Sequence, residues 1–353
     1  MNRFPAFYAL LLLAMCGAPG GHLLDQKTPQ LPDYHEKVAQ FDDIRELTLD
    51  TQEILLSQPV KILRYCDKLY ILDRRLCKIL VLDPQGRFLY SVGRPGQGPG
   101  DLEYPHSFTI SKDKIYVLSS GSRRIDLFSL NGNYEKRIAL VPPKDDPFSY
   151  PSQVLVGKNN RIYISYNLSM NLIDSFLENG DFEKTLLKRE APINVPGVNI
   201  GNSSFIQLVD QGESIIHFDY FSGIFTKISL GGKILGQFSA FNVQHKKEHG
   251  RILKNVQASV GKQMNPPLRI EVYELWADCF CIEESGDIVA LLKVTNKEVP
   301  KKMYVFSRNG ILKYCNSMPP HIEGPISEFY FSEDRYFFIT QQNKIFTMKR
   351  RSQ

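Results

Sequence analysis

Several short stretches of this sequence carry residue types that could do chemistry, and each points to a different kind. His245-Lys-Lys-Glu248-His249 has the His-x-x-Glu-His form with which inverted zinc peptidases hold a metal on two imidazoles and activate water on a glutamate. That chemistry needs both histidines on one helix face, a third ligand and an α/β domain. Gly250 follows at once, and Lys246, Lys247, Arg251, Lys254, Lys262 and Arg269 crowd the same insertion, so the string reads as solvated loop charge. Ile252, Val256 and Val260 share one side of a helix there. It would suit packing on the chain's own surface, or docking to a partner or a membrane. Gly93 to Gly100 resembles a phosphate-cradling loop only in glycine content. No Gly-Lys-Ser/Thr and no βαβ unit accompany it, so tight positive-φ turns are the better reading. Cys279 and Cys281 lack the second pair or nearby histidines that zinc requires. With Cys66, Cys77 and Cys315 they make an odd set without framework spacing, which predicts buried free thiols. No nucleophile elbow, triad or paired-carboxylate motif is present, and no metal or cofactor is implied.

Cys16 offers lipid attachment instead. Arg3 supplies a positive start, Phe7 to Met15 is an apolar run too short to span a bilayer, and Leu13-Ala14-Met15-Cys16 has the form of a bacterial lipobox. The expected division is a signal peptide over 1–15, Cys16 as the lipidated first mature residue, a flexible tether over 16–40 and a folded body over 41–353. Met15 is bulky for its place, and cleavage after Ala18 is the rival; the protein would then be secreted and soluble. Charged residues make up 23% and net charge is +5, spread over many loops with no aromatic interleaving, which argues against a nucleic-acid partner.

What must position any site is a repeat. Lys-Ile-Tyr-Val-Leu from Lys114, a polar turn, Arg-Ile-Asp-Leu-Phe from Arg124, a turn at Asn131-Gly132 and a strand from Tyr134 make one unit. Tyr70, Tyr116, Tyr163, Ile216, Val289 and Phe337 mark equivalent places, at steps of 46, 47, 53, 73 and 48. With an earlier strand before each marker, every unit has four short antiparallel strands, the signature of propeller blades. The fold class is therefore all-β, a six-bladed β-propeller. The sixth unit runs out of chain after three strands, while Asp42 to Asp50 is an unclaimed strand near the start. Pairing the two closes the ring.

Val92 to Tyr104, VGRPGQGPGDLEY, resembles the glycine-rich junction of NHL-like six-bladed propeller lipoproteins of Bacteroidetes. Gly93, Gly96, Gly98, Pro99 and Gly100 match its Gly-x-x-Gly-x-Gly-Pro-Gly-Glu form. Asp101 stands for the Glu, and Leu102 takes the place of the usual aromatic, with Tyr104 two residues on. The resemblance implies fold and export, and no catalytic residue. The stretch after Cys16 lacks the acidic cluster associated with surface export in such lipoproteins, which points to a periplasm-facing protein.

Strand parity places a site better than any motif. In a meander blade, the second-to-third turns and the blade-to-blade crossings share one face. The crossings are long, at 93–106, 141–152, 188–203, 240–274 and 317–325, and long loops on rigid scaffolds carry binding. That face should present Asp73, Arg74, Arg75, Arg123, Arg124, Asn167, Asp219 and Tyr220, joined by Arg94, His106 and His321 from the crossings. Asp73, Arg74, Arg94, His106, Arg123, Asp219, Tyr220 and His321 are the candidate ligand-binding residues. Arginines and aromatics around a channel suit an anionic or sugar-like ligand; the alternative is arginines that only pair with surface carboxylates. The expected function is a non-catalytic binding or interaction propeller of the cell envelope, with a protein or carbohydrate partner. The alternative is a glycan-active hydrolase or lyase with its site at the channel mouth.

Overall fold

Runs such as Leu69-Tyr70-Ile71-Leu72 and Ile115-Tyr116-Val117-Leu118 are buried on both faces, so each must lie between two neighbouring sheets. A computed structural model describes residues 41–47, 55–141, 150–167, 169–189, 204–219, 224–239, 277–292, 302–318, 322, 326–340 and 342–350. The expected signal and tether with Cys16, the His245–His249 string and its basic insertion, Tyr220 and His321 lie outside these residues.

Six four-stranded antiparallel sheets form the blades. Blade 1 comprises Pro59–Tyr65, Lys68–Asp73, Lys78–Leu82 and Phe88–Val92; blade 2 comprises Pro105–Ser111, Lys114–Ser119, Arg124–Ser129 and Tyr134–Ala139. Blade 3 takes Tyr150–Val156, Ile162–Asn167, Asn171–Phe176 and Phe182–Lys188; blade 4 takes Ser204–Val209, Ser214–Asp219, Ile224–Ser229 and Ile234–Ser239. Blade 5 is Ala277–Ile282, Ile288–Leu292, Lys302–Phe306 and Leu312–Ser317. Blade 6 is Ile326–Ser332, Arg335–Thr340 and Ile345–Arg350, with Phe41–Glu46 as its outermost strand. The six repeat markers all fall in second strands. The first strand of each blade touches the first strands of both neighbours, so these six strands ring the axis.

Ring closure follows the pairing expected from the strand count, with altered bounds. Phe41 pairs with Arg350 and Glu46 with Phe346, across a bulge between Asp42 and Arg45. The strand starts one residue earlier than the apolar pattern indicated and ends at Glu46, where Leu47 turns its side chain into the core beside Ile62, Leu69 and Ile345.

Packing sits in the seams between blades. Tyr70, Leu72, Val117 and Phe128 fill the seam between blades 1 and 2, and Leu118, Ile125, Ile162 and Phe176 fill the next. Between blades 4 and 5 the filler is aromatic, with Phe218, Phe225, Phe280 and Phe306 in ring contact. Burial fades outward, and Phe88 and Leu89 on the fourth strand of blade 1 are exposed. Hairpin turns on one face use the left-handed residues expected of them, Lys112-Asp113, Asn160, Gly86, Gly132 and Gly310. Cys279, Cys281 and Cys315 are buried and outside any disulfide, as expected, whereas Cys66 is exposed.

One regularity was not legible in the repeat. In blades 1, 2, 3, 5 and 6 the first strand shifts register near its start, leaving Val60, His106, Ser152, Asp278 and Ser327 as the extra residue. Blade 4 pairs without a break. Bulges re-aim the side chains beside them, and here they stand at the crossing-face mouth of the channel.

Candidate functional site

The junction between blades 1 and 2 shows what its glycines are for. Gly93 and Gly96 have φ +80 and +146, where a side chain is strained. A Cβ on Gly93 would stand 2.5 Å from Leu102 Cδ1, and one on Gly96 2.4 Å from Asp101 Oδ2. Leu102 is buried in the blade 1–2 core, and Arg94–Pro95 pairs in parallel with Asp101–Leu102 to close the loop. Asp101 Oδ1 accepts from Arg94 Nε at 2.6 Å, and Oδ2 accepts from the Gly98 amide at 2.8 Å. The Arg94 guanidinium, with the Gly98 amide behind it, holds the Asp101 carboxyl below its ordinary range. The loop thus turns an amide onto its own carboxylate, where a phosphate cradle would leave it for an external anion.

A second charged set anchors this loop. Arg124 and Asp126 are two apart on one strand and so share a face, and Arg137 is the cross-strand partner of Asp126. Asp126 is 0% exposed; its oxygens accept from Arg124 Nε at 3.0 Å and Arg137 Nε at 2.8 Å. Arg137 then donates to Gln97 O and Gly98 O, and Arg124 to Asp101 O. Sequence reasoning placed Arg124 on the crossing face but missed Asp126 and Arg137. Two charges alternating within the otherwise apolar Arg-Ile-Asp-Leu-Phe were the available signal.

The candidate residues divide by what they already hold. Asp73 is buried, and its carboxylate accepts four backbone amides: Ser57 and Gln58 on Oδ2, Arg75 and Leu76 on Oδ1. It caps the strand end and the following turn. Arg94 is bound to Asp101. Asp219 lies 3.3 Å from Arg189 Nη1, and Arg189 also donates to Ser169 O. Beside them His217 is wholly buried, and burial pulls its imidazole down to about 4. Arg74 and His106 gather with Tyr104, while Arg123 ends the second-to-third turn of blade 2 on the same face. The Arg74 guanidinium stands 5.3 Å from the Tyr104 ring centroid, and the His106 ring 6.5 Å from the same ring. Arg74 Nε is buried with no hydrogen-bond partner among the described residues, and burial lowers the guanidinium's hold on its proton. Tyr104 is 57% exposed. Its φ is +50 and that of Arg123 is +46, both strained values for side chains of this size. Among the described residues no group of three His, Cys, Asp or Glu could hold a metal.

Comparison with known proteins agrees with this architecture. A family model described as "DUF5128: 6-bladed beta-propeller" matches residues 32–229. No curated protein sequence matches the chain. Among solved structures, a Bacteroides fragilis protein described as exported is 14% identical, with a TM-score of 0.62 over 90% of this chain and 98% of that one. A Bacteroides vulgatus member of the DUF4221 family is 10% identical, TM-score 0.57, covering 89% and 98%. Virginiamycin B lyase of Staphylococcus aureus is 15% identical, TM-score 0.53, covering 88% and 99%. At such identities the likeness is one of fold.

Proposed function

The chain belongs to the DUF5128 six-bladed β-propeller family, and from that premise we propose that it is a binding protein of the cell envelope, docking its ligand on the crossing face of blades 1 and 2 without catalysis. Tyr104 carries this reading. A tyrosine at φ +50 is strained, and its largely exposed ring is backed by the Arg74 guanidinium. Strain of this kind, about 1–3 kcal/mol per residue, persists only where surrounding structure enforces it, and such residues cluster at functional sites. His106 stands beside the same ring. An exposed aromatic ring with an arginine and a histidine beside it fits a carbohydrate that bears acidic groups.

The test is a glycan array with the purified chain, followed by titration of any hit. Tyr104→Ala should weaken binding roughly 5-fold or more with the melting temperature little changed, since stacking on an aromatic ring contributes about 1 kcal/mol. Unchanged affinity in that variant rules out the platform, and capture of a protein but no glycan would move the ligand class.

The enzymatic alternative has one observation in its favour. Burial pushes the Glu328 carboxyl, on the innermost strand of blade 6, up to about 7. A glycosidase needs a second carboxylate across the scissile bond, and the first-strand residues aligned with Glu328 are Lys61, Ser107, Gln153, Phe205 and Cys279. Release of reducing ends from an array hit would favour catalysis.

Anchoring belongs to the same reading. The lipobox-like run ending at Cys16 and the fold shared with an exported Bacteroides protein support a lipid-anchored, periplasm-facing chain. No helix among the described residues is long and apolar enough to cross a membrane. Cys16→Ser should move the protein from the membrane to the soluble fraction; continued sedimentation with membranes contradicts the anchor.

A further inference from the structure

The innermost strand of a blade has one edge without a ladder partner, and its amides must find acceptors elsewhere. In this ring, the residue just after the bulge in one blade serves the next blade's strand. Ser107 Oγ accepts from the Val154 amide at 3.4 Å, and Gln153 Oε1 accepts from the Ile206 amide at 2.7 Å. Lys61 is the matching residue of blade 1, and its Nζ donates to Ser107 Oγ at 3.2 Å. Glu328 is the matching residue of blade 6, and it senses the Lys61 charge. Glu328, Lys61, Ser107 and Gln153 therefore form a polar arc round one side of the axis, while Phe205 and Cys279 occupy the other.

Hydrogen-bond capacity in this arc is unbalanced. An ammonium carries three N–H donors, and buried Lys61 places one of them, on Ser107. Ser107 Oγ already accepts from Lys61 and Val154, and its own hydrogen has no acceptor among the described residues. No direct ion pair joins Lys61 to Glu328, and no described residue donates a hydrogen bond to the part-buried Glu328 carboxyl. Among the described residues, donors are thus left over at Lys61 Nζ and Ser107 Oγ, beside a part-buried carboxyl group to which none of those residues donates. A buried ammonium in that state favours an anion.

We propose that Lys61 and Ser107 bind a carboxylate or sulfate group inside the channel, with Glu328 taking up one proton as the group enters. The remaining Lys61 hydrogens and the Ser107 hydroxyl would meet two oxygens of the oxyanion. An ionised Glu328 would repel the newcomer; protonated from solvent, it becomes neutral and gains a donor of its own. No covalent bond other than that O–H changes.

Burial has already brought the Glu328 carboxyl to about 7, against the partial pull of Lys61, so uptake falls in the neutral range. The same burial lowers the Lys61 ammonium, and a bound anion restores it. Among the described residues, Cys281 of blade 5 is a further titratable group near Glu328, and burial raises its thiol well above its ordinary value, so it stays neutral. The anion raises the Glu328 value further. Affinity should therefore be level below about pH 7 and fall above it, toward ~10-fold per pH unit. This site lies just inside His106 and does not depend on the Tyr104 surface.

Calorimetric titration of the full chain with acetate, sulfate and D-glucuronate between pH 6 and pH 9 tests it. The expected result is saturable binding at pH 6 that weakens above neutrality, with proton uptake visible as heat that changes with buffer. Glu328→Gln should bind without the decline and the proton uptake that set in near pH 7, keeping only the fall at higher pH that comes from Lys61, and Lys61→Met should lose binding. Tyr104→Ala should leave all of this intact, which separates the site from the crossing-face ligand. Tighter binding of glucuronate than acetate identifies an acidic sugar as the source of the group; equal binding identifies free oxyanions. Absence of heat with all three probes at pH 6 overturns the proposal, as does a pH profile and proton uptake in Glu328→Gln identical to those of the parent. Should Lys61→Met fail to fold, undiminished binding in Ser107→Ala is equally decisive against it.

Discussion

Deleting the chain through Asp50 should lower its melting temperature by roughly 5–10 °C, whereas deletion only through Lys37 should leave it unchanged. Contact with the ring, among the described residues, begins at Phe41. From there the closing strand serves both seams of blade 6. Phe41 and Ile44 pack on the cluster that holds Tyr336, Phe338 and Met348, between blades 5 and 6. The Phe41 ring meets Tyr336 edge to face at 6.2 Å. Leu47 enters the opposite cluster with Ile62, Ile71 and Ile339, between blades 6 and 1, and its amide donates to Ile345 O at 2.8 Å. Ion pairs from Asp43 to Arg335 and from Glu46 to Lys344 add little at an exposed edge. Three large apolar side chains, at about 1.5–3 kcal/mol each when fully buried, give a loss of several kcal/mol. For a chain of this size each kcal/mol moves the midpoint by roughly 1.5 °C. The shorter chain would also expose the edge of Ile345–Arg350 and should aggregate on heating. Equal midpoints for the two truncations, measured by calorimetry, would remove the strand from any role in closure.

That closure was legible because it is a matter of counting. Six markers, six preceding strands and one strand short at the end leave a single place for the segment near residue 42. Hairpin residues and strand parity were equally readable, since both depend on local backbone geometry; Arg74, Arg123 and His106 stand at the end of the blades where parity put them. What local reading missed depends on contacts between distant segments. Asp73 looks like a free acid at a turn, yet Ser57 and Gln58, outside its hairpin, are two of its four donors. Arg94 looks like a ligand-facing arginine until Asp101 is seen folded back on it. The bulges at Val60, His106 and Ser152 had a partial signal, because Pro59, Pro105 and Pro151 each precede the extra residue and cannot donate to a ladder. The polar arc had none. Lys61, Ser107 and Glu328 are far apart in sequence and meet only because each follows a bulge at the same height in the ring.

Asp126 is where the loss of one side chain should cost most. Its carboxylate is fully buried, Arg124 beside it is nearly so, and Arg137 is part-exposed. Asp126→Ala leaves the Arg124 guanidinium in place with Glu103 Oε2 at 3.6 Å as its nearest remaining acid. Arg137 has a way out, since it can turn to water. Arg124 does not, and an uncompensated buried charge typically costs about 3–5 kcal/mol. The damage should also travel. Arg137 reaches Gln97 O and Gly98 O only while Asp126 orients it, and those carbonyls hold the loop that carries Arg94 and Asp101. Urea unfolding of Asp126→Ala should therefore show a loss of about 3 kcal/mol or more. Amide exchange over residues 96–101 should quicken beyond what the global change explains. The double variant Arg124→Met/Asp126→Leu separates charge from shape. It removes both ions and refills the volume, and such exchanges are often neutral or stabilising by about 1–4 kcal/mol. It should recover most of the stability lost in the single variant but none of the loop protection, because Arg137 still lacks its carboxylate. A single variant within about 1 kcal/mol of the parent would mean that Arg124 is already satisfied by Asp101 O and Glu103, and that Asp126 is not the anchor of the junction.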